Sequence, residues 1–104
     1  MMKFSEYKKY NEIYVQQLMD NIKGVYVLAT ENKLFYVGSG DIKERLLAHL
    51  DNNEPNPCIK NYVNNFVCYF RFKQVLGGEE LMRQEEQRAI NVSNPECNKI
   101  DAKD

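Results

Sequence analysis

The sequence has no Trp, one His, three Pro, five Gly and three Cys in 104 residues, and each scarcity excludes something. No apolar run approaches the roughly 20 residues of a membrane-spanning helix, and Met1 to Tyr7 contains no apolar signal-peptide stretch. An intracellular, cytoplasmic protein with no membrane partner is therefore expected. Cys58, Cys68 and Cys97 are odd in number and include no Cys-x-x-Cys pair, which points away from a disulfide framework and from a cysteine zinc site. Buried free thiols are the expectation. Proline occurs only at Pro55, Pro57 and Pro95, and there is no Gly/Ser-rich linker, repeat or low-complexity run, so a single uninterrupted domain with one small core is predicted.

What is present is the composition of an ordinary globular chain, with 43% apolar, 12% aromatic and 28% charged residues. A net charge of −1 argues against a strongly basic protein that coats nucleic acid. The charge is uneven: residues 1–76 carry ten Lys/Arg and eight Asp/Glu, for +2, whereas residues 77–104 carry four and seven, for −3. A polyanion could approach the first three quarters through a local patch.

Phe4, Tyr7, Ile13, Tyr14 and Leu18 fall near helical spacing, which predicts an amphipathic helix over about 4–20. The period then changes. Gly24 to Thr30 and Leu34 to Gly38 are short β-branched and aromatic runs separated by Glu31-Asn32-Lys33, the pattern of a hairpin. Asp41-Ile42-Lys43-Glu44 has the capping-box form and opens a helix over about 42–50. A polar loop over 51–57, a short helix over 58–64 and an alternating strand, Phe66 to Lys73, follow. Gly77-Gly78 ends that strand, Glu79-Glu80 open a last helix over about 79–92, and Asn94-Pro95 stops it. The predicted class is α+β, a three-stranded antiparallel sheet flanked by helices with an N-terminal helix.

If Thr30 pairs with Leu34, Leu28 faces Tyr36 and Tyr26 faces Gly38, so both tyrosines share one face. Gly38 has no side chain, so the ring of Tyr26 would lie over an open spot where a ligand could reach bare backbone; the plainer reading is that tyrosines favour strands. Arg45 and His49, spaced i, i+4, stack at the border of the stripe made by Ile42, Leu46, Leu47 and Leu50. They face either a cleft or solvent. Glu85 and Glu86 lie among the apolar residues Leu81, Met82, Ala89, Ile90 and Val92 of the last helix, and a carboxylate so placed is paired, protonated or metal-bound. Two phenols, a guanidinium, an imidazole and an acid are the parts of a phosphodiester-cleaving site: a base, a cation for the charged phosphorane and a metal ligand.

These residues, in this order, resemble the GIY-YIG nuclease superfamily. The resemblance rests on Gly24-Val25-Tyr26, the ten-residue step to Tyr36 in Tyr36-Val37-Gly38, Arg45 and His49 on a helix, Glu86 before Ala89-Ile90, then Pro95 and Asn98. It runs from Gly24 to Asn98. It implies a nuclease domain over 21–104, preceded by an N-terminal helical extension over 1–20 to which it assigns no role. By the same resemblance Tyr26 activates water, His49 takes the proton or holds that water, Tyr36 supports the cluster, Arg45 binds the scissile phosphate and Glu86 coordinates one divalent cation, Mg2+ or Mn2+. Gly38, Ser39, Lys43 and Asn98 would lie against substrate or hold the site. A phenol acts as a base near neutral pH only if Arg45 and the metal lower its pKa. Three departures stand out. The Gly38 to Arg45 step is one residue shorter than in the repair-endonuclease branch, Ser39 stands where a Lys is common, and valines replace the isoleucines at Val25 and Val37.

The function implied is a metal-dependent DNA endonuclease whose specificity comes from loops, a homodimer mate or a separate specificity protein. The alternative is a non-catalytic adaptor that keeps the fold and binds nucleic acid or protein.

Overall fold

The computed structural model describes residues 3–99; the ends of the two predicted segments, 1–2 and 100–104, lie outside the described residues. Four strands and four helices run in the order β1 (Lys8–Lys9), α1 (Glu12–Gln16), β2 (Lys23–Ala29), β3 (Leu34–Asp41), α2 (Ile42–Leu50), α3 (Pro57–Asn65), β4 (Tyr69–Gln74) and α4 (Glu79–Ser93), closed by a 3-10 turn over Glu96–Lys99. The strands form one antiparallel sheet in the order β1-β4-β2-β3.

The sheet thus has four strands where three were expected. The extra one comes from the segment predicted as a long helix over 4–20. Ser5 N donates to Phe72 O at 2.7 Å and Tyr10 N to Cys68 O at 2.9 Å, with Lys8 and Lys9 paired to Phe70 and Tyr69 between them, so the backbone protects the open edge of β4. Only five residues are left as helix, capped where the Asn11 side chain accepts from Tyr14 N. This segment belongs to the core: Tyr10 and Val15 are buried, and the Tyr10 hydroxyl donates to Leu46 O of α2 at 2.5 Å.

The two faces of the sheet explain the alternation in β2. Tyr26 and Leu28 point to the larger core with Phe70, Ile42, Leu46 and Ile59, beneath α1, α2 and α3. Val25 and Val27 point the other way, to Val37 and Met82 beneath α4. The hairpin keeps the expected register at Tyr26↔Gly38 and Leu28↔Tyr36, then shifts: Leu34 faces Ala29 instead of Thr30, leaving Phe35 as an inserted residue on β3. Phe35 thereby joins the larger core and stacks on Tyr62, with ring centroids 4.4 Å apart.

Asp41 caps α2 by accepting from Glu44 N at 3.1 Å, the N-cap half of the predicted capping box. At the far end of the chain, Asn94 adopts the left-handed conformation (φ 49°, ψ 58°) that ends α4. The apolar stripe of α4 is narrower than expected, with Met82 buried but Leu81 and Val92 exposed.

The expectation of free thiols is also corrected. Cys58 and Cys97 form a disulfide that joins the start of α3 to the 3-10 turn, and only Cys68 is free. The pair lies 39 residues apart in sequence and meets only because the chain end folds back onto α3. Among the described residues no helix is long and apolar enough to cross a membrane.

Candidate active site

The predicted groups meet around edge strand β3. Tyr26, fully buried, lies under α2, and its hydroxyl is 2.7 Å from His49 Nε2. The Tyr26 and Tyr36 ring centroids are 6.2 Å apart, and each ring lies within 5.7 Å of the His49 ring, so the three form one aromatic cluster. His49 is 3% exposed. The i, i+4 spacing had placed it at the border of the helix stripe, but the cluster draws it into the core. Arg45, one turn earlier, remains exposed, and its charge reaches both phenols.

Gly38 is required by this packing. A Cβ on Gly38 would occupy the place of the Tyr26 hydroxyl. The Tyr26 ring lies over Gly38 as expected, but it fills the spot itself, so the backbone there is not open to a ligand as the sequence suggested.

The acids of α4 take different partners. Glu85 is paired to Lys73 at 2.6 Å and to Arg88 at 2.9 Å. Glu86 reaches β3, where it accepts from Ser39 Oγ at 2.8 Å, and its charge acts on both Tyr26 and Tyr36. Of the two neighbouring carboxylates, Glu86 is the one at the phenol cluster. Among the described residues no three Asp, Glu, His or Cys side chains gather into a metal-binding group. A cation here would be held by the Glu86 carboxylate alone, oriented by Ser39 and completed by water and phosphate oxygens, a ligand set that suits Mg2+.

Asn98 holds the frame. Its Oδ1 accepts from Val37 N and its Nδ2 donates to Val37 O, both at 2.8 Å, so the chain end supplies the hydrogen bonds that a further strand would give β3. Lys43 is drawn elsewhere, 3.1 Å from Asp20.

One buried acid escaped the sequence reading. Glu54, 8% exposed, places Oε1 2.6 Å from His49 Nδ1 and accepts from Asn56 N at 2.8 Å through Oε2. It sits in the stretch Asp51 to Pro57, which reads as a solvated loop, and nothing local in the sequence marks it as buried.

Electrostatics follow from burial. Removal from water pushes the Tyr26 phenol well above its ordinary value, the neighbouring Tyr36 adds to this, and Arg45 opposes it. Burial also raises Tyr36, again against Arg45. For Arg45 burial pulls downward, but Tyr26, Tyr36 and Glu54 outweigh it, and the guanidinium stays firmly charged. Burial lowers His49 below 6.5, Glu54 opposes the shift and Arg45 adds to it. Both shifts favour the uncharged forms, a neutral imidazole against a neutral phenol. The pKa lowering expected for Tyr26 from Arg45 does not outweigh desolvation in the free protein.

Clefts of about 350 and 460 Å³ flank the hairpin tip, with Lys33 and Tyr69 in both linings, and another of about 400 Å³ runs beside Phe72; none of these linings includes the predicted catalytic residues. It is the chemistry of the side chains that marks the candidate site. No family model matches the chain, and neither a curated protein nor a solved structure matches it.

Proposed function

We propose that the protein is a metal-dependent endonuclease of the GIY-YIG type that hydrolyses DNA phosphodiester bonds. The observation that carries the reading is the 2.7 Å contact between the Tyr26 hydroxyl and His49 Nε2, with the charges of Arg45 and Glu86 both acting on that phenol. A phosphate at this edge of the sheet would meet a cation, a phenol coupled to a base and a carboxylate, the groups that a hydrolytic in-line displacement uses.

Arg45 binds the phosphate and offsets charge on its equatorial oxygens. Tyr26, relieved of its proton by His49, takes a proton from the attacking water. Glu86, steadied by Ser39, would hold a divalent cation, which supplies charge stabilisation to the leaving oxygen. Asn98 fixes β3 so that Tyr36 and Gly38 keep their places. Specificity for a DNA sequence or shape falls to loops, a second copy or a partner protein.

Purified protein incubated with supercoiled plasmid in Mg2+ or Mn2+ should convert it to nicked circles. Tyr26→Phe should be slower by about 10²–10⁴-fold, the usual contribution of a proton-transfer group. Glu86→Ala should lose the metal response. Nicking that Glu86→Ala retains in full would remove the metal role. Folded wild-type protein that cuts neither duplex, branched nor single-stranded DNA would leave an adaptor.

A further inference from the structure

Both oxygens of a buried carboxylate are engaged beside the one histidine of the chain: Glu54 Oε1 lies 2.6 Å from His49 Nδ1, and Oε2 accepts from Asn56 N at 2.8 Å. We infer that Glu54 is a positioning residue that fixes the tautomer of His49, with the proton on Nδ1, so that Nε2 accepts the Tyr26 hydroxyl. The inference rests on the endonuclease reading for its catalytic consequence, and on geometry alone for the tautomer.

A carboxylate has only acceptors to offer, so the ring nitrogen facing it supplies the hydrogen. Nδ1 is therefore N–H, and Nε2 keeps its lone pair. The Tyr26 hydroxyl, 2.7 Å from that lone pair, is the donor. The chain of hydrogen bonds has one direction, from phenol to imidazole to carboxylate. The opposite tautomer would aim an N–H at Tyr26 and leave the phenol with no base in contact.

The carboxylate is itself held in place. Glu54 N donates to Asp51 O at 3.0 Å, while the Asn56 side chain caps α3 by accepting from Cys58 N and Ile59 N and also donates to Cys97 O. The loop that carries Glu54 is thus tied to α3 and to the disulfide-linked chain end. A side chain so constrained presents its oxygen to His49 without reorganisation when charge develops.

In the reaction the Tyr26 proton passes to His49 Nε2, giving a phenolate and an imidazolium paired with Glu54. The phenolate oxygen accepts a proton from water as the water oxygen bonds to phosphorus. The bond to the leaving oxygen breaks with its electron pair, and that oxygen takes a proton from solvent. His49 then returns its extra proton to solvent. The groups facing His49 are Tyr26 and Tyr36 from the sheet, Arg45 from its own helix and Glu54 from the loop. Glu54 is the anion among them that can offset an imidazolium beside Arg45.

Because the chain has a single histidine, its ring nitrogens can be assigned directly by 15N–1H correlation through the ring protons. In wild-type protein above neutral pH, Nδ1 should carry the proton and Nε2 should show the shift of an unprotonated acceptor. Glu54→Gln, which cannot supply an acceptor to both His49 and Asn56, should lose or mix that tautomer. Its kcat on plasmid should fall by about 10²–10⁴-fold with little change in KM. An Nε2–H tautomer in wild-type protein, or a Glu54→Gln protein that cleaves at the wild-type rate, would overturn the assignment while leaving the endonuclease reading intact. Wild-type protein with the Nδ1–H tautomer that cleaves no DNA would end the endonuclease reading and uphold Glu54 as the group that orients His49. Should Glu54→Gln fail to fold, the wild-type spectrum alone decides.

Discussion

At the residue scale, the site depends on a hydroxyl standing where a side chain is missing. Gly38 faces Tyr26 across the hairpin, and any Cβ there would collide with the phenol oxygen. Gly38→Ala should therefore displace Tyr26 from His49. The expected outcome is a loss of stability of about 1–3 kcal/mol from overpacking, read by thermal unfolding, with a nicking rate lower by about 10²-fold, because a misplacement of roughly 1 Å suffices for that. A variant that cuts at the wild-type rate would show that the hydroxyl position does not matter. The pairing of Tyr26 with Gly38 was legible in the sequence because strand alternation and hairpin register follow from local pattern. Glu54 was not legible. Beside Asn52, Asn53 and Pro55 it looks like any loop acid, and its buried partners, His49 on α2 and the Asn56 amide, are set by the folded loop.

At the scale of elements, α2 and the hairpin are where local and tertiary preferences agree. Asp41 caps the helix, Ile42 and Leu46 reach the core, and His49 follows on a face that the spacing had already marked. Elements whose partners are distant leave no local sign in the sequence. Lys8 and Lys9 are exposed and polar, and they are a strand only because β4 offers its edge, so the apolar spacing around them read as a helix. The disulfide was hidden for the same reason, since an odd cysteine count and a separation of 39 residues give no local sign of pairing. Closing a loop of that length is worth about 4 kcal/mol in the chain-entropy description. Cys97→Ser should lower stability in urea by about that amount. Protein unfolded without reductant should expose one reactive thiol, Cys68, and three reactive thiols would contradict the bond. Because Cys97 adjoins Asn98, whose amide holds Val37, loss of the disulfide should also slow cleavage.

At the scale of the whole molecule, residues far apart in sequence converge on β3. The hairpin supplies Tyr26 and Tyr36, α2 supplies Arg45 and His49, α4 supplies Glu86, and the chain end clamps the edge through Asn98. Charge is distributed to match, with the surplus of acids in the last quarter of the chain and Glu85 neutralised by Lys73 and Arg88, which leaves Glu86 as the acid that α4 brings to the cluster, across from Glu54 on His49. On the proposed function, these groups act on one phosphate as a single device. Groups that serve one step together are not additive when removed. The most direct measurement is therefore the single-turnover cleavage rate of a labelled DNA duplex by wild-type protein, Tyr26→Phe, His49→Ala and the double variant. Each single change is expected to lower the rate, and the double variant to be no slower than the worse of the two. Independent losses that multiply in the double variant, or a wild-type rate in either single variant, would contradict that joint action.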